Sequence, residues 1–122
     1  MGLLINKLGV VFYRSKVGNE PVRDWFKRLS RDDKKTLGED IKTVQFGWPL
    51  GMPLVRSLGN GLWEIRSFLR KSRCIARILF FMKDNNMILL HGFIKKSQKI
   101  SVCDVNLALR RKKEVLRGHD YE

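Results

Sequence analysis

Cationic and imidazole side chains recur inside three strand-like runs, and this combination sets the chemistry to consider. The runs are Leu62-Trp63-Glu64-Ile65-Arg66, then Arg73 to Phe81 with Arg77 at its centre, then Leu89-Leu90-His91-Gly92-Phe93-Ile94-Lys95-Lys96. A guanidinium among apolar neighbours is costly unless an anion or a polar group meets it. The chain has 25 Lys and Arg against 12 Asp and Glu, a formal charge of +13. The anion to expect for such a surplus is a phosphate backbone. Cleavage of RNA needs little beyond a cluster of this kind, because the 2′-hydroxyl is supplied by the substrate. The protein must align the backbone, take the 2′-proton, stabilise the phosphorane and protonate the leaving 5′-oxygen. Arginine suits the charged intermediate, since its planar fork meets two phosphate oxygens and stays ionised. A histidine, or a lysine whose pKa is lowered by neighbouring cations, suits the proton transfers.

Period-two alternation sorts these side chains. Glu64 and Arg66 share a face of the first run; Arg73, Ile75, Arg77 and Leu79 share one of the second; Leu89, His91, Phe93 and Lys95 share one of the third. A cluster of Arg66, Arg77 and Lys95 or Lys96 on one side would hold a scissile phosphate. Arg77, His91, Lys95 and Lys96 are therefore the candidate catalytic residues. Arg66, Arg73, Lys99, Arg110 and Arg111 are the candidate RNA-binding residues. Each has a structural alternative. Arg77 could form an internal ion pair with Glu64, His91 could be a core histidine bonded to a backbone carbonyl, and the lysines could mark a solvated strand end. The Arg110-Arg111-Lys112-Lys113 run reads as the solvated face of a helix that adds non-specific RNA affinity. Trp63 reads as core, with stacking on a base as the alternative. No metal constellation is visible, and no cofactor is expected.

The elements that must position these residues follow from local pattern. Leu8 to Tyr13 is β-branched and aromatic, as in a strand. Glu20-Pro21 predicts a helix start, followed by Val22, Trp25, Phe26 and Leu29 as a helical stripe. Ser30 with Asp33 predicts a second start, with Leu37, Ile41 and Val44 buried. Gly47 to Pro53 holds two prolines and two glycines, so it is a loop, and the apolar residues Trp48, Leu50, Met52 and Leu54 predict packing onto the body. Turns at Arg70 to Ser72 and at Lys83 to Asn86 make the three runs an antiparallel meander. Ser101 to Asp104 starts a last helix, with Val105, Leu109 and Leu116 as its buried stripe. The expected class is α+β, in the order β-α-α-β-β-β-α, with the meander packed against helices.

At 122 residues, with 43% hydrophobic and 10% aromatic residues, residues 1–122 form one domain with one core. No apolar run is long enough to span a bilayer. Met1 to Lys7 fits neither a myristoylation signal, having Asn6 where Ser or Thr is wanted, nor a signal peptide, since Lys7 cuts its apolar stretch short. Cys74 and Cys103 lack metal-ligand spacing and are expected to be buried free thiols in a reducing cytoplasm, with a disulfide between them the open alternative.

The run Leu62 to Arg66, the segment Arg77-Ile78-Leu79-Phe80-Phe81 and the segment Leu90 to Lys99 together resemble the HigB-like branch of the RelE/ParE toxin superfamily, whose members are often described as phage-derived. The resemblance covers about residues 8 to 116, including Asn106, Ala108 and Arg110-Arg111 of the last helix. It implies a compact RelE-like domain and a cytoplasmic toxin of a type II toxin–antitoxin system. It also implies metal-independent endoribonuclease action on mRNA, commonly at the ribosome, and a cognate antitoxin with a helix-turn-helix domain. Arg77 corresponds to the family's strand arginine, and Lys95, Lys96 and Lys99 to its basic segment. No tyrosine lies between Tyr13 and Tyr121, so versions of the site that use one there have that role empty. Two other readings of the charge stand beside this one: a non-catalytic RNA- or ribosome-binding module, and a degenerate toxin acting only through protein contacts. Oligomeric state is not readable from the sequence.

Overall fold

A computed structural model describes residues 8–51, 53–95 and 99–118. The chain runs β1 (Gly9–Phe12), α1 (Pro21–Lys27), α2 (Arg31–Gly47), β2 (Val55–Gly59), β3 (Leu62–Leu69), β4 (Cys74–Lys83), β5 (Asn86–Lys95) and α3 (Val102–Leu116). The class is α+β, compatible with a compact RelE-like domain, and the order contains one strand more than expected. That strand is β2. Its apolar residues, Val55 and Leu58, do not alternate, because they serve opposite faces. Val55 joins the core under α1 and α2, whereas Leu58 packs against the core under α3.

The five strands lie in the order β1-β5-β4-β3-β2. β2 to β5 pair antiparallel, and β1 pairs parallel with β5 at the edge. The turn from β4 to β5 has Asp84 at φ 51° and Asn85 at φ 65°. Both residues tolerate the left-handed region, and such a two-residue turn matches the twist of the strands it joins. Pro21 opens α1 where its missing amide is harmless. Ser30 and Ser101 cap α2 and α3, their hydroxyls accepting from the amides of Asp33 (3.2 Å) and Asp104 (3.1 Å).

Helices cover both faces of the sheet. Leu37 and Val44 of α2, with Val22 of α1, pack on Ile65, Ile78, Phe80 and Leu89. Ala108 and Val115 of α3 pack on Leu79, Phe81, Ile88 and Leu90. The loop before β2 is drawn onto the first core as expected, Trp48 meeting Trp63 edge-on at 5.0 Å and Phe80 at 5.6 Å. Met52 and the Met1 to Lys7 segment lie outside the described residues.

Three expectations are corrected. Leu116 is 55% exposed, so the α3 stripe is Val105, Ala108, Leu109 and Val115 instead. Leu116 points away from the core that Val115 enters, and Lys112 lies over the Phe81 ring. Arg110 to Lys113 is not wholly an outer face, since Arg111 turns inward to the Leu90 carbonyl. The cysteines are free but not buried: Cys74 is half-buried and Cys103 exposed on the first turn of α3.

Gly92 fastens the sheet to α1. A Cβ there would stand 2.5 Å from Cε3 and Cζ3 of Trp25, closer than any van der Waals contact allows. Gly92→Ala is expected to destabilise the fold by about 1–3 kcal/mol through overpacking. Urea denaturation followed by circular dichroism measures it, and an unchanged midpoint would contradict the close approach.

Candidate functional site

Strand register places the side chains of the site. Arg66 lies opposite Arg77, and Arg77 opposite Phe93; Glu64 lies opposite Leu79, and Leu79 opposite His91; Phe68 lies opposite Ile75, and Ile75 opposite Lys95. Residues directly opposite share a face, so these three rows stack side by side. They occupy the α3 face, since Leu62, Leu79 and Leu90 pack under α3 while Ile65, Ser67 and Leu69 of β3 turn the other way. A register shift between Leu79 and Phe80 corrects one alternation expectation: Leu89 packs toward α1 and α2, and only His91, Phe93 and Lys95 face the site. The extra residue is Leu90, a β-bulge of the kind that re-aims side chains.

The N-terminal turn of α3 reaches this face through Asp104. His91 Nε2 donates to Asp104 Oδ1 at 2.8 Å, and Lys95 Nζ meets Oδ2 at 2.7 Å. Ser101 Oγ also donates to Oδ2, at 2.7 Å. The Phe93 ring lies between, its centroid 4.9 Å from that of His91 and 5.3 Å from Lys95 Nζ. Partial burial pushes the Asp104 carboxyl up, but the bonds from Lys95, Ser101 and His91 outweigh it and hold the group well below the usual carboxylate range. An ionised carboxylate only accepts, so Nε2 carries the proton and a neutral His91 has its lone pair on Nδ1. Burial lowers the His91 pKa; Asp104 opposes this, and Arg111 and Lys95 reinforce it, with a net shift downward.

Arg77 is fully enclosed, at 0% exposure, and its Nη1 donates to Glu64 Oε2 at 2.6 Å. Glu64 is equally enclosed, and its other oxygen accepts from Arg56, whose Nη2 stands 2.9 Å away. One carboxylate therefore neutralises two guanidiniums from neighbouring strands. In this arrangement Arg77 presents no surface to a phosphate. Arg66, opposite it on β3, is half-buried, as is Arg56.

The remaining candidates are dispersed. Arg73 is exposed in the β3–β4 turn, and Lys99 is exposed just before α3. Arg110 is exposed on α3, lining a pocket with Asn60 of the β2–β3 turn. Arg111 donates to the Leu90 carbonyl at 2.7 Å and lies 5.0 Å over the Tyr13 ring, so it clamps α3 to the bulge. Lys96 lies outside the described residues. Asp104 and Arg56 are the contributors that sequence reasoning missed. Asp104 stood in a helix-start pattern that explained it fully, and Arg56 stood on the strand that was not expected. Among the described residues, no three His, Cys, Asp or Glu side chains gather as a metal-ligand set, and no helix is long and apolar enough to cross a membrane.

Removing Glu64 takes the paired carboxylate from Arg77 and Arg56. Glu64→Ala is expected to destabilise the protein by about 3–5 kcal/mol, and Glu64→Leu with Arg77→Met by clearly less; equal losses in denaturant melts would remove the pairing from this account. Asp104→Asn deletes the group that raises the His91 pKa, so that pKa is expected to fall further. An NMR titration of the imidazole, assigned against His119→Gln, reads it, and an upward shift would contradict the geometry. Because the folded His91 already titrates below its ordinary value of 6.5, the unfolded chain binds more protons there, and stability is lost as pH falls below about 6.5.

Residues 24–113 match the family model described as Phage derived protein Gp49-like (DUF891). A search among curated proteins found no match. The matched span runs from α1 through most of α3 and includes the meander, the bulge and the Asp104 turn. The chain therefore belongs to the Gp49-like family, a phage-derived family of RelE/HigB-like toxins, and membership implies an antitoxin partner.

Proposed function

We propose that this chain is the toxin of a type II toxin–antitoxin pair and cleaves mRNA as an endoribonuclease, at the ribosome and without a metal. The observation that supports it most is the His91–Asp104–Lys95 cluster: an imidazole oriented by an ionised carboxylate, with a cation at its side. Nδ1 of His91 takes the proton of the 2′-hydroxyl as the 2′-oxygen bonds to phosphorus. The phosphorus–O5′ bond breaks, and the Lys95 ammonium protonates the departing oxygen, leaving a 2′,3′-cyclic phosphate. Arg66 meets the phosphate oxygens. Arg77 is a positioning residue that holds Glu64 in the sheet beside Arg66. Lys96, Lys99 and Arg73 bind the backbone on either side. A helix-turn-helix antitoxin is the proposed partner, and the cell interior its place of action.

The non-catalytic alternative has one observation in its favour: Arg77 is enclosed, so the strand arginine does not touch a phosphate in this conformation. Such a module binds RNA, loses affinity steeply as salt rises, and cuts nothing.

Purified protein with translating ribosomes separates the two. His91→Gln is expected to slow mRNA cleavage by about 10²–10⁴-fold, as loss of a general base does, and Arg77→Ala to lower both activity and stability. Equal cleavage by wild type and His91→Gln would remove His91 from the mechanism. Binding with no cleavage by the wild type would overturn the enzymatic reading.

A further inference from the structure

Phe68 is 57% exposed, yet it stands on the same sheet face as Arg66, Arg77 and Lys95. A large ring left in water on the face that carries the candidate chemistry calls for a reason. Its neighbours supply one. Phe68, Ile75, Leu54 and Pro53 line a concave groove of about 250 Å³, and Arg66 is the one charged group in that lining among the described residues. Ile75 forms the floor between Phe68 and Lys95. Two strand spacings put the backbones of Phe68 and Lys95 about 10 Å apart. The groove thus adjoins the His91–Asp104–Lys95 cluster, and Arg73 stands exposed in the turn that follows β3.

We propose that this groove is a nucleobase-stacking subsite, in which Phe68 takes the face of one unpaired RNA base next to the scissile linkage and Arg66 holds that nucleotide's phosphate. The proposal rests on the RNA reading above and deepens it. An aromatic ring on an open strand face, flanked by a guanidinium, is the arrangement that holds single-stranded RNA bases. The occupant is a single strand, since a base inside a duplex offers no free face. Stacking also accepts any base, so the subsite sets strandedness and register rather than sequence. An acidic protein segment is the competing occupant, since a ring face also packs against side chains, and the antitoxin arm of the test separates the two.

The test measures binding of a fluorescent single-stranded RNA oligonucleotide, fully 2′-O-methylated so that it cannot be cut, and of the same strand with one abasic position moved along it. Proteins are wild type, Phe68→Ala, Phe68→Leu and Phe68→Trp. Phe68→Ala and Phe68→Leu are expected to lose about tenfold in affinity, and Phe68→Trp to retain it with quenched indole emission. One abasic position should cost the wild type a similar factor and cost Phe68→Ala nothing. Wild-type affinity and an unchanged abasic penalty in folded Phe68→Ala and Phe68→Leu would overturn the subsite while leaving the RNA reading in place. So would unchanged RNA affinity together with weakened binding of an acidic antitoxin, which would make the patch a protein contact. Failure of the wild type to bind RNA at all would overturn both.

Discussion

Leu90 faces no residue of β4: the pairing runs from Leu79 opposite His91 directly to Phe80 opposite Leu89. A strand without that extra residue would send Leu89 and His91 to the same side. With it, Leu89 enters the core under α1 and α2 while Leu90 and His91 both turn toward α3. The bulge is held from outside, because Arg111 donates to the Leu90 carbonyl while its guanidinium lies on Tyr13. The imidazole thus meets Asp104 only because the backbone is offset by one residue and a side chain of α3 stabilises the offset. The fold and the site share this one irregularity.

Electrostatics divides the face into two regimes. Around Glu64 the groups are enclosed, their charges balanced at short range, and the pairing serves the sheet. Around Asp104 the groups are partly open, and one carboxylate orders an imidazole, an ammonium and a hydroxyl. Glu64 stands between two guanidiniums, and Asp104 between an ammonium, an imidazole and a hydroxyl, in a chain with a surplus of positive charge. Each carboxylate therefore fixes the direction of the side chains that donate to it.

Local signals in the sequence were read well. The caps at Ser30 and Ser101, the proline at the start of α1, the stripes of α1 and α2 and the β4–β5 turn depend on neighbours a few positions apart, and the structure has them all. Alternation put Arg66 with Glu64 and Arg77 with Ile75 and Leu79, and the strand register sets Arg66 opposite Arg77. The ion pair between Arg77 and Glu64 was among the readings of those residues, and the structure contains it. What stayed hidden depends on partners distant in sequence. β2 was illegible because its two apolar residues serve different cores, and the bulge because one inserted leucine looks like any other apolar position. Asp104 was hidden by sufficiency: a carboxylate three positions after a capping serine already had a purpose. The inward turn of Arg111 was hidden because a basic run at helical spacing reads as solvated whether or not one member finds a carbonyl.

The parallel pairing of β1 with β5 has a consequence for the order of assembly. β3, β4 and β5 are joined by tight turns and can zip together from contacts close along the chain, whereas β1, first in chain order, finds its partner only in the last strand. Closing so long a loop is entropically late. During synthesis the first strand therefore waits, unpaired, until almost all the rest has emerged, and Asp104 arrives later still. A nascent chain of this kind acquires its cations early and its oriented imidazole last.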